Sequence, residues 1–192
     1  MKKCFIVLFM SSFLLFSKNV SADVNVQGNI LTDNEYQELL ESIPEGHELV
    51  PNETFNQRAM TGLYGQAHVK NIGWLPTAKG AIGTVGRNLG VEAVIFNFFN
   101  SSTSISYKVH VRNEGWHSWT SGGKIAGTTG KNRPIEAIEL STNGKYGVSY
   151  RAHVQDYGWL PYVQSGWNDY AGTVGRAKKI EAIQFYLYQQ TA

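Results

Sequence analysis

Three histidines and three glutamates stand at matching places in this 192-residue sequence: His68, His110 and His153, with Glu92, Glu136 and Glu181. An imidazole beside a carboxylate can move protons, orient a nucleophile or ligate a metal. Catalysis would need an activated nucleophile, and none recurs at the repeated spacing. The threonine of the Gly-Thr-x-Gly between each His and Glu has no activating-base signature. A metal would need clustered His, Cys or Asp at ligand spacing, which is absent from the pattern. The six residues are therefore expected to tie down backbone or pair with each other, satisfying partly buried polar groups. No catalytic residue, metal ligand or cofactor is predicted.

Tryptophan repeats in the same way at Trp74, Trp116 and Trp159, each preceded by glycine. A large aromatic at a strand end more often packs than touches a ligand, so these three are assigned to the framework. Trp119 and Trp167 differ, because they fall in stretches that vary between copies, where binding residues concentrate. With Tyr162, Tyr170, Asn168 and Asp169 they form the candidate ligand-binding set. Aromatic faces stack on the apolar faces of sugar rings, and amides and carboxylates bond hydroxyls.

These residues are positioned by a unit that occurs three times. Ala67-His68-Val69-Lys70-Asn71-Ile72-Gly73-Trp74 returns at Val109–Trp116 and at Ala152–Trp159, with His-to-His steps of 42 and 43 residues. Self-similarity at a fixed period marks a repeat architecture. The copies are placed at about 61–100, 104–145 and 147–190. Strand A alternates: Tyr107, Val109 and Val111 point one way, Lys108, His110 and Arg112 the other. A variable stretch follows, then Gly83-Thr84-Val85-Gly86, Gly127-Thr128-Thr129-Gly130 or Gly172-Thr173-Val174-Gly175, read as tight turns needing positive φ. These turns are no phosphate loop, since they lack the Lys-Ser/Thr tail and a following helix. Closing strands are predicted at Val91–Phe98, Ile135–Leu140 and Ile180–Tyr188. Asn143-Gly144 signals a hairpin joining copy two to copy three. One unit cannot bury its apolar face alone, so the prediction is an all-β, pseudo-three-fold domain closed around a shared axis, a β-prism favoured over a β-trefoil.

Residues 1–22 read as a cleavable signal peptide: Lys2 and Lys3, an apolar run from Phe5 to Phe16, and Val20-Ser21-Ala22 before the cut. The single cysteine, Cys4, lies inside it, so the mature chain is predicted to carry no disulfide and to hold together by core burial. No other long apolar stretch predicts a membrane span. Residues 23–60 form an acidic segment with eight acids and one base, a net charge of −7, whereas residues 61–192 carry +6. The opposition predicts that the leader docks on the repeat body. The bases are scattered rather than clustered, which argues against nucleic acid. Thr32-Asp33-Asn34-Glu35 is a capping box, and Tyr36, Leu39, Leu40 and Ile43 follow at helical spacing, so one short helix is expected before Pro44 and Gly46.

The repeat resembles the clostridial hydrophobic repeat, the ChW family. Its pattern Tyr-x-Ala-His-Val-Gln-x-x-Gly-Trp, Gly-Thr-x-Gly, Ile-Glu-Ala-Ile is met in copy three by Tyr150, Ala152, His153, Val154, Gln155, Gly158, Trp159, Gly172, Thr173, Gly175, Ile180, Glu181, Ala182 and Ile183. Copy two departs at Val109 and Arg112. Copy one has Gly65 at the tyrosine position, and Val91 and Val94 for the two isoleucines. The resemblance implies an exported or cell-surface bacterial protein that binds surfaces or polysaccharides. The expectation is therefore a secreted, lectin-like module that takes a glycan or cell-surface polysaccharide. The alternative is a protein-binding adhesin, or the targeting subunit of a toxin or complex. An enzyme is not expected.

Overall fold

The structure is a computed structural model. It describes residues 33–45, 48–49, 62–166 and 168–190. The signal-peptide reading, the Thr32 cap and Trp167 lie outside them.

Each copy is built on a long antiparallel pair. The opening strands are Gly62–Val69, Ser104–Val111 and Tyr146–Val154, and the closing strands are Val91–Phe99, Ile135–Asn143 and Ile180–Gln189. The Gly-Trp dipeptides turn back and pair with the end of their own opening strand, at His68↔Trp74, His110↔Trp116 and His153↔Trp159. Three antiparallel sheets result, one per copy. The period-two pattern turns one face of each sheet inward, so that Ala67, Val69, Tyr107, Val109, Val111, Tyr150, Ala152 and Val154 meet in a single core.

The copies are fastened by exchange. Ala81–Gly83 of copy one adds to the closing strand of copy three through Ala182↔Gly83. Ala126–Gly127 of copy two adds to that of copy one through Ala93↔Gly127. Ala171–Gly172 of copy three adds to that of copy two through Ala137↔Gly172. One to three, three to two and two to one is a closed cycle, and it covers the edge each closing strand would otherwise expose.

The first glycine of Gly-Thr-x-Gly is thus more than a turn residue. Gly83, Gly127 and Gly172 have φ of 101°, 105° and 112°, and a Cβ on them would lie 2.4, 2.3 and 2.3 Å from the carbonyl oxygens of Glu181, Glu92 and Glu136. Only glycine lets the two backbones meet this closely. The next residue then donates its N–H to the same carbonyl: Thr84 to Glu181, Thr128 to Glu92 and Thr173 to Glu136, each at 2.8 Å.

Copy one makes up for the loss of its tyrosine with two of its own side chains and one from copy three. A Cβ on Gly65 would stand 3.0–3.1 Å from the side chains of Phe96, Ile82 and Phe185. Phe96 and Phe185 meet edge to face there, with centroids 5.2 Å apart. In the other copies the tyrosine hydroxyls hold the variable stretch instead. Tyr107 donates to the carbonyl of Lys124, and Tyr150 to that of Asp169 at 3.1 Å.

Asn143-Gly144 does turn the chain, but not as a hairpin. The strands on either side belong to different sheets, because each is already paired along its length with the partner from its own copy. Gly144 (φ 132°) is pressed against Thr103, whose Cα a Cβ would approach to 2.8 Å.

The acidic leader contributes a helix, Asp33–Ser42, and a two-residue strand, Glu48–Leu49, on the edge of the copy-three sheet. The helix packs on copy three: Leu39 is fully buried against Tyr186, with Ile43 and Tyr162 beside them. Ser42 meets Ser149 at 2.6 Å, and the Gln164 amide donates to the Ser42 carbonyl. The docking expected from charge is made in part by the ion pair of Arg151 with Glu38, at 3.0 Å. No helix among the described residues is long and apolar enough to cross a membrane.

Candidate functional site

The repeated histidines and glutamates meet because every closing strand carries a bulge at its glutamate. Pairing runs His68↔Ala93 and then Val69↔Val91, so Glu92 has no partner; Glu136 and Glu181 are skipped in the same way. The extra residue re-aims both of its ends. Its carbonyl takes the threonine N–H of the neighbouring copy. Its carboxylate swings to the histidine, with Nδ1–Oε2 distances of 3.3 Å for His68–Glu92, 3.5 Å for His110–Glu136 and 3.2 Å for His153–Glu181. All three Nδ1 atoms are buried and lie off the line a hydrogen bond requires. Each imidazole stands edge-on to its tryptophan, with centroids 5.3–5.6 Å apart. The three glutamates are buried and the histidines partly so.

The three units differ at their rims. In copy one, His68 and Glu92 open on a cleft of about 590 Å³ that copy two closes with Gly130 and Asn132. In copy three, His153 and Glu181 open on a cleft of about 310 Å³ bounded by Gly86 and Asn88 of copy one. In copy two the place is filled from within. Arg112 donates Nε to Glu136 at 2.7 Å and Nη2 to the Ala177 carbonyl at 2.6 Å.

A second set of differences lies on the outward face of the opening strands. In copy two, the Lys108 ammonium sits over the rings of Trp116 and Trp119, 5.1 and 4.8 Å from their centroids, and pairs with Glu139 at 2.7 Å. Tyr170, from copy three, packs edge-on to Trp116 at 5.7 Å. Trp116, Trp119 and Tyr170 are 37%, 47% and 39% exposed, large values for such rings gathered in one place. In copy three the corresponding cation is Arg151, stacked on Trp159 and Tyr162 at 5.0 and 4.5 Å and bonded to Gln184. There the leader helix lies alongside, and Arg151 is buried. Copy one has Gln66 at this position, spent on the Leu75 carbonyl.

The sequence-derived binding set is thus divided. Trp119 and Tyr170 join one platform, and Trp116, assigned to the framework by its repeat position, joins them there. Tyr162 faces Gln184, Arg151 and the helix instead, its hydroxyl donating to Gln184 at 3.0 Å. Asn168 and Asp169 are exposed beside Tyr170, whose N–H the Asp169 carboxylate accepts at 2.8 Å. Sequence reasoning missed Lys108 and Glu139. Lys108 was legible as a residue of the polar face, but only the fold puts Trp119 over it. Asn88 and Asn132 were missed too. They hold φ of 54° at matching places, as Ala177 does at 51°.

Burial raises the hydroxyl pKa of Tyr107, Tyr150 and Tyr188. Arg133 and then His117 hold the exposed Glu114 carboxyl below its usual range. Asp156 holds the Lys178 ammonium above its own. Among the described residues no group of three or more His, Cys, Asp or Glu could hold a metal ion.

Fold and site together define a three-copy, all-β repeat module. The family model described as Clostridial hydrophobic W matches residues 68–97, 110–144 and 153–188, more than half of the chain, and the chain belongs to that family. No curated protein and no solved structure matches it.

Proposed function

We propose that this chain is a secreted or cell-surface carbohydrate-binding module, exported by its N-terminal signal, and that copy two carries the principal site. The supporting observation is the exposed platform of Trp116, Trp119 and Tyr170 around the Lys108–Glu139 pair. Ring C–H groups of a sugar stack on the two indoles, while the ammonium donates to hydroxyls and the carboxylate accepts from them. The platform is shallow, so affinity for one sugar unit is low and a polymer is held by several contacts at once. A glycan array probed with wild type and Trp119→Ala tests the reading. Binding of a defined glycan class, lost in the variant, supports it; no binding to any glycan at millimolar concentration sinks it.

A protein-binding adhesin or targeting subunit is the second reading, and one observation favours it. The matching face of copy three already holds an amphipathic acidic helix, so this kind of surface accepts a peptide. Capture of a protein partner by the copy-two face, with a blank glycan array, would decide for it.

A further inference from the structure

The three His–Glu units allow a comparison within one molecule. In copy two, the Glu136 carboxylate and the Ala177 carbonyl hold the Arg112 guanidinium. At the corresponding place in copy three, Lys179 donates to the Asn88 carbonyl at 2.7 Å and lies 3.9 Å from Glu181. Two cations thus reach equivalent places by different routes, Arg112 from just past the opening strand and Lys179 from just before the closing strand.

In copy one neither route delivers a cation. The counterpart of Lys179 is Gly90, crowded by Pro134 and Lys179 so that a Cβ would stand 3.0 and 3.2 Å from their side chains. The counterpart of Arg112 is Lys70, which lines the cleft but whose ammonium makes no ion pair or hydrogen bond among the described residues. Glu92 is buried at the foot of the cleft, and among the described residues His68 is the one ion-pairing group within 4 Å of its carboxylate, although the Lys70, Arg112 and Lys179 side chains line the adjoining space. Asn132 brings the left-handed backbone that presents the carbonyl in the other two copies. The acceptors for a nitrogen cation are built, and no cation among the described residues bonds them.

We propose that the copy-one cleft binds the free ammonium group of an amino sugar, held between the Glu92 carboxylate and the Asn132 carbonyl. Charge-assisted N–H donation to a buried carboxylate is the contact Arg112 makes in copy two. The Asn71 and Asn132 amides line the rim and bond sugar hydroxyls. The inference rests on the carbohydrate reading and adds a ligand class and a second site to it.

The test is titration calorimetry of the full mature chain with a glucosamine tetramer, at a pH where its amines are charged, and with the N-acetylated tetramer. Wild type is expected to bind the free amine at least tenfold more tightly. Glu92→Gln should bring the two ligands to parity. So should Lys70→Arg, which restores the copy-two arrangement and fills the cleft from within. Trp119→Ala should leave the preference in place. Equal affinity of wild type for the two oligomers overturns the proposal and leaves the carbohydrate reading standing. Absence of binding to either also overturns the proposal, while the carbohydrate reading falls only with a blank glycan array. A preference that survives Glu92→Gln and Lys70→Arg places the amine elsewhere and overturns the site. Lysine methylamide binding as tightly as the amino sugar overturns the sugar assignment.

Discussion

The backbone of Gly83 lies against the backbone of Glu181 so closely that a methyl group on Gly83 would stand 2.4 Å from the Glu181 carbonyl oxygen. These residues belong to copies one and three, and the contact closes the ring. Gly83→Ala is therefore expected to destabilise the fold by about 3 kcal/mol or more, through strain at positive φ and a backbone collision. Gly86 is the control. It shares the positive φ (76°) but has nothing within 4 Å of a Cβ, so Gly86→Ala should cost about 1–2 kcal/mol. Urea denaturation of both variants checks the ordering. Equal costs would mean that the exchange between copies is not what makes Gly83 necessary.

Docking of the leader helix rests on Leu39, fully buried, rather than on Glu38, whose side chain is 62% exposed although it pairs with Arg151. Leu39→Ala is expected to loosen the helix by about 2–4 kcal/mol, while Glu38→Gln costs under about 1 kcal/mol. Hydrogen exchange over residues 33–42 reads both. Amides opened as much by Glu38→Gln as by Leu39→Ala would assign the docking to charge.

Alkaline pH should destabilise the fold through its buried tyrosine hydroxyls. Burial lifts the Tyr150 hydroxyl well above its ordinary 10.0, and Tyr107 and Tyr188 shift the same way. The unfolded chain releases these protons near pH 10 while the folded chain keeps them. Stability is thus full below about pH 10 and falls as pH rises towards the folded values. Melting temperatures across pH 8–11.5 should be level at first and then drop. Tyr107→Phe should lessen the drop, although it also loses the bond to Lys124. A curve level to the highest pH would contradict the burial of these hydroxyls.

The framework was legible because repetition exposes it. His, Gly-Trp, Gly-Thr-x-Gly and Glu-Ala recur at one spacing, and alternation in Tyr107–Arg112 gave the inward and outward faces. Two things were hidden. One was partnership between copies: the glycine at 83 is visible in the sequence, but not that its neighbour is Glu181, nearly a hundred residues away. The other was occupancy. The polar-face position reads Gln66, Lys108 and Arg151, three ordinary surface residues. Only packing makes the first bond a carbonyl, the second underlie two exposed indoles, and the third vanish beside a helix. Asn143-Gly144 misled for a related reason, since a local turn signal cannot tell which sheet the next strand joins.

The carbohydrate reading is tested most directly by following the indole N–H resonances of the tryptophans in a labelled sample during titration with an oligosaccharide that the array identifies. The Trp116 and Trp119 signals are expected to shift together, saturate with one affinity, and cease to respond in Lys108→Ala/Glu139→Ala. Saturable binding that leaves both of those signals unmoved would contradict a copy-two site.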